Sequence, residues 1–353
     1  MQAPLNAIFF KRMNDKVMKS RRYYAVLLAL LCAVVVMYFA RGRKRFVTAA
    51  GVVWTTEYHI TYEAERNLDD SIQAVFRMVD GSASAFNQQS LVSRINRGET
   101  SDPDSCFKAL YAIARKVYDA SGHLYDPTVM PLVNAWGFGY KSGNLPTQRQ
   151  VDSLLAFVGM GKTSIAGGRV RKADPRVQFD FSSIAKGYAC DEVGRMLERN
   201  GVANYMVEIG GEVAARGVNN RGQQWRVSVD MPIDDDTTVS HQSALVLSLE
   251  RGGVATSGNY RKFKEVDGKK VTHILNPLTG RGEQSSLLSA TVVAADCATA
   301  DAWATACMAM GTVKAKALMQ RNGSLGVMLI SADDAGNMVV WSNKRFASLV
   351  VAQ

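Results

Sequence analysis

The sequence predicts an α+β chain: a two-lobed body of mixed and antiparallel sheets with flanking helices, behind one apolar helix near the N-terminus. Three observations carry that prediction. After Arg45, strand-like and helix-like segments intermix without a regular βαβ period. The 308 residues that follow Arg45 exceed a comfortable single core. The eighteen residues from Tyr23 to Ala40 carry no charge. The composition, 47 % hydrophobic and 21 % charged with 29 glycines and 8 prolines, excludes a disordered, collagenous or disulfide-stapled chain.

The formal charge of +10 is concentrated at one end. Lys11, Arg12, Lys16, Lys19, Arg21 and Arg22 precede the apolar segment, Arg41, Arg43, Lys44 and Arg45 follow it, and Asp15 alone opposes them. The rest of the chain is close to neutral, which excludes a broad surface for tracking nucleic-acid phosphates. At 1.5 Å per residue the apolar segment is about 27 Å long, near the thickness of a bilayer core. Tyr23, Tyr24 and Tyr38 sit at its ends, where aromatic residues favour the interface. No small-x-small cleavage site follows, and RGRKR comes directly after the segment, so an uncleaved signal anchor is expected rather than a cleaved signal peptide. Six basic residues before the helix against four after it place the N-terminus inside. The expected layout is a basic cytoplasmic segment (1–22), a transmembrane anchor (23–40), a linker (41–53) and a functional domain (54–353) outside the inner membrane. The five cysteines form no CxxC or zinc-like spacing, and an odd number argues against a disulfide framework.

Along the body, VVWTTEYHITYEA alternates as an early strand. Leu68, Ile72, Val75, Phe76 and Val79 recur at helical spacing and predict a helix over 68–80. A second helix is expected after Asp102-Pro103, with Phe107, Leu110, Ile113, Ala114 and Val117 on its buried face, and a third from Thr147 to about Val158. Phe179 to Phe181 predicts a short strand running into a helix near Ser182, which stops before Gly201. NYMVEIGGEVAARG reads as a strand interrupted by paired glycines, and WRVSVDMP and ALVLSLE as further strands. LLSATVVAAD is a buried strand feeding the alanine-rich helix ATADAWATACMAMG, and GVMLISADDAGNMVVWS is a terminal hairpin.

Some apparent motifs carry no chemistry. VGMGKTS resembles the end of a P-loop, but the first glycine is replaced by Ala156 and the helix precedes the glycines, so a turn into a strand near Thr163 is expected. No GxGxxG follows a strand, which argues against a Rossmann site. His59, His123, His241 and His273 are dispersed and form no zinc-binding pair.

Four blocks can carry chemistry. In FDFSSIAKGYACDE, Asp180 is delivered to the mouth of a helix whose opening residues, Ser182 and Ser183, offer amides to an anion, with Lys186 one turn in. In TADAWATA, Asp301 and Thr305 are four apart, so their oxygens share one helical face among small neighbours and suit a hard cation such as Mg²⁺. VATSGNYRKF and THILNPLTGRG place Thr256, Ser257, His273 and Asn276 beside turn glycines. LYDPTVMPLVNAWGFGY is rich in aromatics that can stack a planar ring or simply pack. Taken alone, the first two blocks read better as a cap, a turn and an ordinary helix, and core packing explains most of the aromatics equally well.

In this order the blocks resemble the ApbE-type flavin transferases, the FAD:protein FMN transferases. The matching stretches are Asp126 to Gly139, Asp180 to Tyr188, Val207 to Glu212, Thr256 to Tyr260, His273 to Arg281 and Ala300 to Thr305, spread from about Trp54 to Trp341. The resemblance implies a two-lobed, T-fold-like body, a bound FAD with Mg²⁺ at its diphosphate, and transfer of FMN to a threonine or serine of an acceptor protein with release of AMP. It implies that Ser183 (through its carbonyl), Asp301 and Thr305 hold the metal. It further implies that Phe86, Leu124, Tyr125, Asp126, Asp180, Lys186 and Leu275 contact FAD. The family's M-G-T is Trp54-Thr55-Thr56 here, Tyr125 stands where phenylalanine or methionine is common, and Gly282 where proline is. Lys186, Asp301 and His273 are the expected catalytic residues, His273 as positioner or base for the incoming hydroxyl. Hydrolysis of FAD to FMN and AMP, and flavin binding without catalysis, are the two alternatives. By family analogy the acceptor is a membrane electron-transport flavoprotein.

Overall fold

The computed structural model describes residues 24, 28–32, 44–140, 145–232, 243–258, 263–266, 269–282 and 285–351, of which 243, 244, 263–266 and 269–271 are described as backbone. The chain divides into Met1–Arg45 and Phe46–Gln353. In the first unit Tyr24 and residues 28–32 are helical, and Leu28, Leu30 and Leu31 are exposed. The remainder of the expected anchor lies outside the described residues. Among the described residues, no helix is long and apolar enough to cross a membrane.

The fold is α+β. The body opens with strands β1 (Arg45–Val53) and β2 (Thr56–Ala64), so the stretch read as one strand is a hairpin, and most of the expected linker is an edge strand. Helices α1 (Asp69–Ala83), α2 (Leu91–Asn96), α3 (Ser105–Ala120), α4 (Met130–Ala135) and α5 (Gln148–Leu155) follow. The cap of α3 is Asp104 rather than Asp102: its carboxylate accepts the Phe107 N–H at 2.7 Å and the Ser82 hydroxyl at 2.8 Å. Thr147 and Gln150 form a capping box that starts α5. VGMGKTS is a single 3₁₀ turn, Met160–Lys162, leading into the hairpin β3 (Thr163–Ala166) and β4 (Arg169–Lys172).

Helix α6 (Ala185–Arg199) leads to β5 (Tyr205–Ile209) and β6 (Glu212–Arg216), joined at Gly210-Gly211. Strands β7 (Trp225–Asp230), β8 (Ser243–Leu249), β9 (Arg251–Gly258), β10 (Phe263–Val266), β11 (Lys269–Thr272) and β12 (Leu287–Ala294) precede the 25-residue helix α7 (Cys297–Arg321). This helix is longer than expected and breaks at Gly311, whose φ of 71° is outside the helical region. Strands β13 (Gly326–Ala332) and β14 (Met338–Ser342), helix α8 (Lys344–Ala347) and strand β15 (Val350–Val351) complete the body.

Eight strands form the main sheet in the order β1-β2-β5-β6-β9-β12-β13-β14, and β15-β8-β7 form a second. The central strands β6, β9, β12 and β13 are buried on both faces, which explains their nearly continuous apolar sequences. Period-two alternation sends Ala214, Ala255, Val292, Val327 and Leu329 into the core shared with α6 and α7. Their neighbours Val213, Val254, Val293, Met328 and Ile330 enter a second core with Trp225, Val227 and Leu247 of the smaller sheet. Leu132, Trp136, Val151, Val158 and Leu275 form a third cluster. Phe46–Gln353 is one compact unit that contains these three apolar clusters.

Candidate active site

The site grows from the junction of α6 and α7. A Cβ at Gly187 would lie 2.5 Å from the Cys297 carbonyl oxygen and 2.9 Å from the Asp301 Cβ, so the absence of a side chain lets the helices touch. The Gly187 N–H then donates to Asp301 Oδ2 at 3.1 Å. Two acids fix the start of α7: Asp296 accepts from the Thr299 N–H, and Asp191 of α6 accepts from the Cys297 and Ala298 N–H groups at 2.9 Å each. One turn beyond Asp301, the Thr305 hydroxyl lies 3.3 Å from that of Ser257 on β9.

Hydrogen bonds join the four sequence blocks in a closed circuit. The Asp180 N–H donates to the Pro127 carbonyl at 2.6 Å, and Ser183 Oγ donates to the Tyr125 phenol at 3.1 Å, joining the first block to the fourth. Gly187 and Asp301 join the first to the second, and Ser257 and Thr305 the second to the third. Trp136 Nε1 donates to the Gly280 carbonyl at 2.7 Å and closes the loop between the third and fourth. The half-buried His273 ring meets Phe138 edge-on at 6.4 Å across the same seam.

Phe179 to Phe181 is not a strand. Asn96 accepts from the Phe179 N–H at 2.7 Å and donates to its carbonyl at 2.8 Å, so a side chain takes the place of a sheet partner. Nor does α6 begin at Ser182. Asp180 accepts both the Ser182 N–H (2.9 Å) and its hydroxyl (2.5 Å), forming a turn that delays the helix to Ala185. The Ser182 amide expected to face an anion is therefore already used.

Burial governs the charges. Lys186 Nζ is 2.5 Å from Glu212 Oε2, and the Glu212 side chain is 5 % exposed. Burial lowers the pKa of Lys186, but Glu212 and Asp301 more than offset it, and the ammonium is held. Burial raises the Glu212 carboxyl, and the Lys186 ammonium paired with it pulls it back down. Asp301 is likewise raised by burial, in part offset by Lys186 and the Gly187 N–H. Burial also raises the Tyr125 phenol; its bond to Ser183 opposes this, and Asp301, Asp180 and Asp126 add to it. Two buried acids against one ammonium leave a negative excess that favours a cation. The donors at Asp301 and Thr305 are all oxygen, one carboxylate and one hydroxyl, which fits Mg²⁺ completing its shell with phosphate oxygens or water. Among the described residues no three His, Cys, Asp or Glu side chains gather as a metal cluster.

The other expected residues are dispersed in role. Asp126 is buried and ties its own loop to the 3₁₀ turn, accepting from the Thr128 N–H and hydroxyl and from the Met160 N–H. Leu124 belongs to the main core and Leu275 to the third cluster. Phe86, on the loop between α1 and α2, is 58 % exposed, and no ring contact among the described residues ties it to the junction. Glu212 and Asp191 were given no role from sequence, although Glu212 follows paired glycines inside a matched motif.

The sequence pattern of the ApbE family matches residues 54–329. An FAD:protein FMN transferase of Salmonella typhimurium is 32 % identical over 313 residues, covering 86 % of this chain and 87 % of its own. A protein of the same description from Vibrio cholerae is 32 % identical over 299 residues, 82 % of this chain and 88 % of its own. Among solved structures, the flavin transferase ApbE from Vibrio cholerae superposes with a TM-score of 0.76 at 29 % identity, covering 87 % of this chain and 99 % of that one. The apo form of the Pseudomonas stutzeri flavinyl transferase ApbE gives 0.78 at 30 % identity, covering 88 % and 98 %.

Proposed function

The chain belongs to the ApbE family, and from that premise we propose that it transfers FMN from FAD to a threonine or serine hydroxyl of an acceptor flavoprotein, releasing AMP. The observation that carries the reading is the α6–α7 junction, where the Asp301 carboxylate is held at the Gly187 amide within electrostatic reach of the Lys186 ammonium.

The reaction forms a bond from the acceptor oxygen to the flavin-side phosphorus and breaks that phosphorus's bond to the bridging oxygen, so AMP leaves. Such transfer requires positioning and charge stabilisation more than a nucleophile from the enzyme. Asp301, Thr305 and the Ser183 carbonyl would hold Mg²⁺, which would supply positive charge to the diphosphate when bound. Lys186 adds a fixed cation at the start of α6. His273 is assigned to orient the incoming hydroxyl and take its proton. Tyr125, Asp180, Leu124 and Leu275 shape the flavin site, and Phe86 offers an exposed ring for stacking.

Tyr23–Ala40 is proposed to anchor the chain in the inner membrane with the body outside the cytoplasm, beside electron-transport flavoproteins that would serve as acceptors. The charge-free run between two basic clusters supports this. The decisive experiment incubates the protein with FAD, Mg²⁺ and a candidate acceptor. Flavin fluorescence that stays with the acceptor in a denaturing gel is the expected result. Release of free FMN alone identifies a hydrolase, and unchanged FAD identifies a binding protein.

A further inference from the structure

Glu212 is buried, pairs with the Lys186 ammonium and is not among the residues assigned above to metal or flavin. Its place is fixed from several sides. Gly210 and Gly211, at φ 62° and 98°, turn the chain into β6. The Gly211 N–H is held by Glu208 at 2.7 Å and the Gly210 N–H by the Glu57 carbonyl at 2.9 Å. The Glu212 carbonyl accepts from Cys190 Sγ at 3.2 Å, one turn beyond Lys186 on α6. Its carboxylate therefore meets Lys186 from a rigid strand end, while Lys186 itself is a flexible four-carbon side chain.

Asp301 also acts electrostatically on Lys186, yet among the described residues the ion-pair partner of Lys186 is Glu212, and the hydrogen bond to Asp301 comes from Gly187. We propose that Glu212 is a positioning residue that draws the Lys186 ammonium away from Asp301 and so keeps the Asp301 carboxylate available to a divalent cation. Without that pull, the nearest buried negative charge for the ammonium is Asp301. An ammonium paired there competes directly with metal. The inference rests on the assignment of Asp301 to the metal and extends it to a residue that touches neither metal nor substrate.

The test is Mn²⁺ binding to the full chain without FAD or acceptor, followed by electron paramagnetic resonance, in the unsubstituted protein, Glu212→Gln, Lys186→Met and the double variant. The expected result is a tenfold or greater loss of Mn²⁺ affinity in Glu212→Gln that disappears in the Lys186→Met background. A merely structural role gives the same loss in both backgrounds and overturns the proposal, as does affinity within twofold of the unsubstituted protein. Should Glu212→Gln fail to fold, Glu212→Asp, which keeps the charge on a shorter arm, is read the same way, with an expected loss of about threefold. Absence of Mn²⁺ binding in the unsubstituted chain sinks the metal assignment itself, and this proposal with it; binding indifferent to Glu212 sinks this proposal alone.

Discussion

At the scale of single residues, one carboxylate decides the chemistry. Asp301→Asn keeps an oxygen for the Gly187 N–H but removes the charge that a cation needs. Flavin transfer is expected to fall by about 10²-fold or more, the range seen when one charge-stabilising group is lost, with the circular dichroism spectrum unchanged. Transfer at the original rate would remove Asp301 from the metal. A second residue bears on stability. Trp54 and Thr55 turn the β1–β2 hairpin at φ 49° and 65°, a conformation that suits glycine and strains a β-branched side chain. Thr55→Gly is expected to stabilise the protein by about 1 kcal/mol, read from urea melts; an equal or lower midpoint denies the strain. The same turn shows why part of the fold was hidden. With neither glycine nor asparagine between the strands, nothing in WTT announces a hairpin, so two strands read as one. Asp301 and Thr305 were legible because helical spacing alone puts them on one face. Glu212 was not, because its partner lies on another element.

At the scale of elements, two helix starts differ from the expected ones because a side chain intervenes. Asp104 and Asp180 lie a residue or two from the expected caps and engage amides that simple periodicity leaves free. The start of α7 shows the energetic consequence of such capping. Burial pushes Asp191 up to about 7, more than its bonds from Cys297 and Ala298 lower it. In the unfolded chain an aspartate titrates near 3.9. The folded state thus binds this proton more tightly, so its contribution to stability is greatest at low pH, declines between about pH 4 and 7, and stays low above that. The thermal midpoint is therefore expected to be higher at pH 5.5 than at pH 8. Asp191→Asn should flatten the part of that slope below pH 7 while lowering stability overall by about 1 kcal/mol through one lost bond. An unchanged slope in the variant would place the proton elsewhere.

At the scale of the whole molecule, the blocks were visible in the sequence but their arrangement was not. The order β1-β2-β5-β6-β9-β12-β13-β14 pairs strands far apart in the chain, and local patterning contains no term for that choice. Central strands buried on both faces also erase the alternation that tells the two sides of a strand apart, so the layering of cores on either side of the sheet was not legible. The N-terminal unit is a contrasting case, because its proposed role depends on composition rather than on pairing. Leu28, Leu30 and Leu31 are 62 %, 59 % and 60 % exposed, apolar surface that a bilayer would cover. A charge near the middle of such a segment costs roughly 2.5–3.5 kcal/mol in membrane insertion. The anchor predicts that the full chain stays with membranes through an alkaline carbonate wash and that Leu30→Asp shifts a large share into the soluble fraction. Because the body carries its own cores, that soluble variant should still transfer flavin to a soluble acceptor fragment. A wild-type chain released by the wash would overturn the anchor, whereas a soluble variant that has lost transfer would show that the body depends on the segment it was proposed merely to follow.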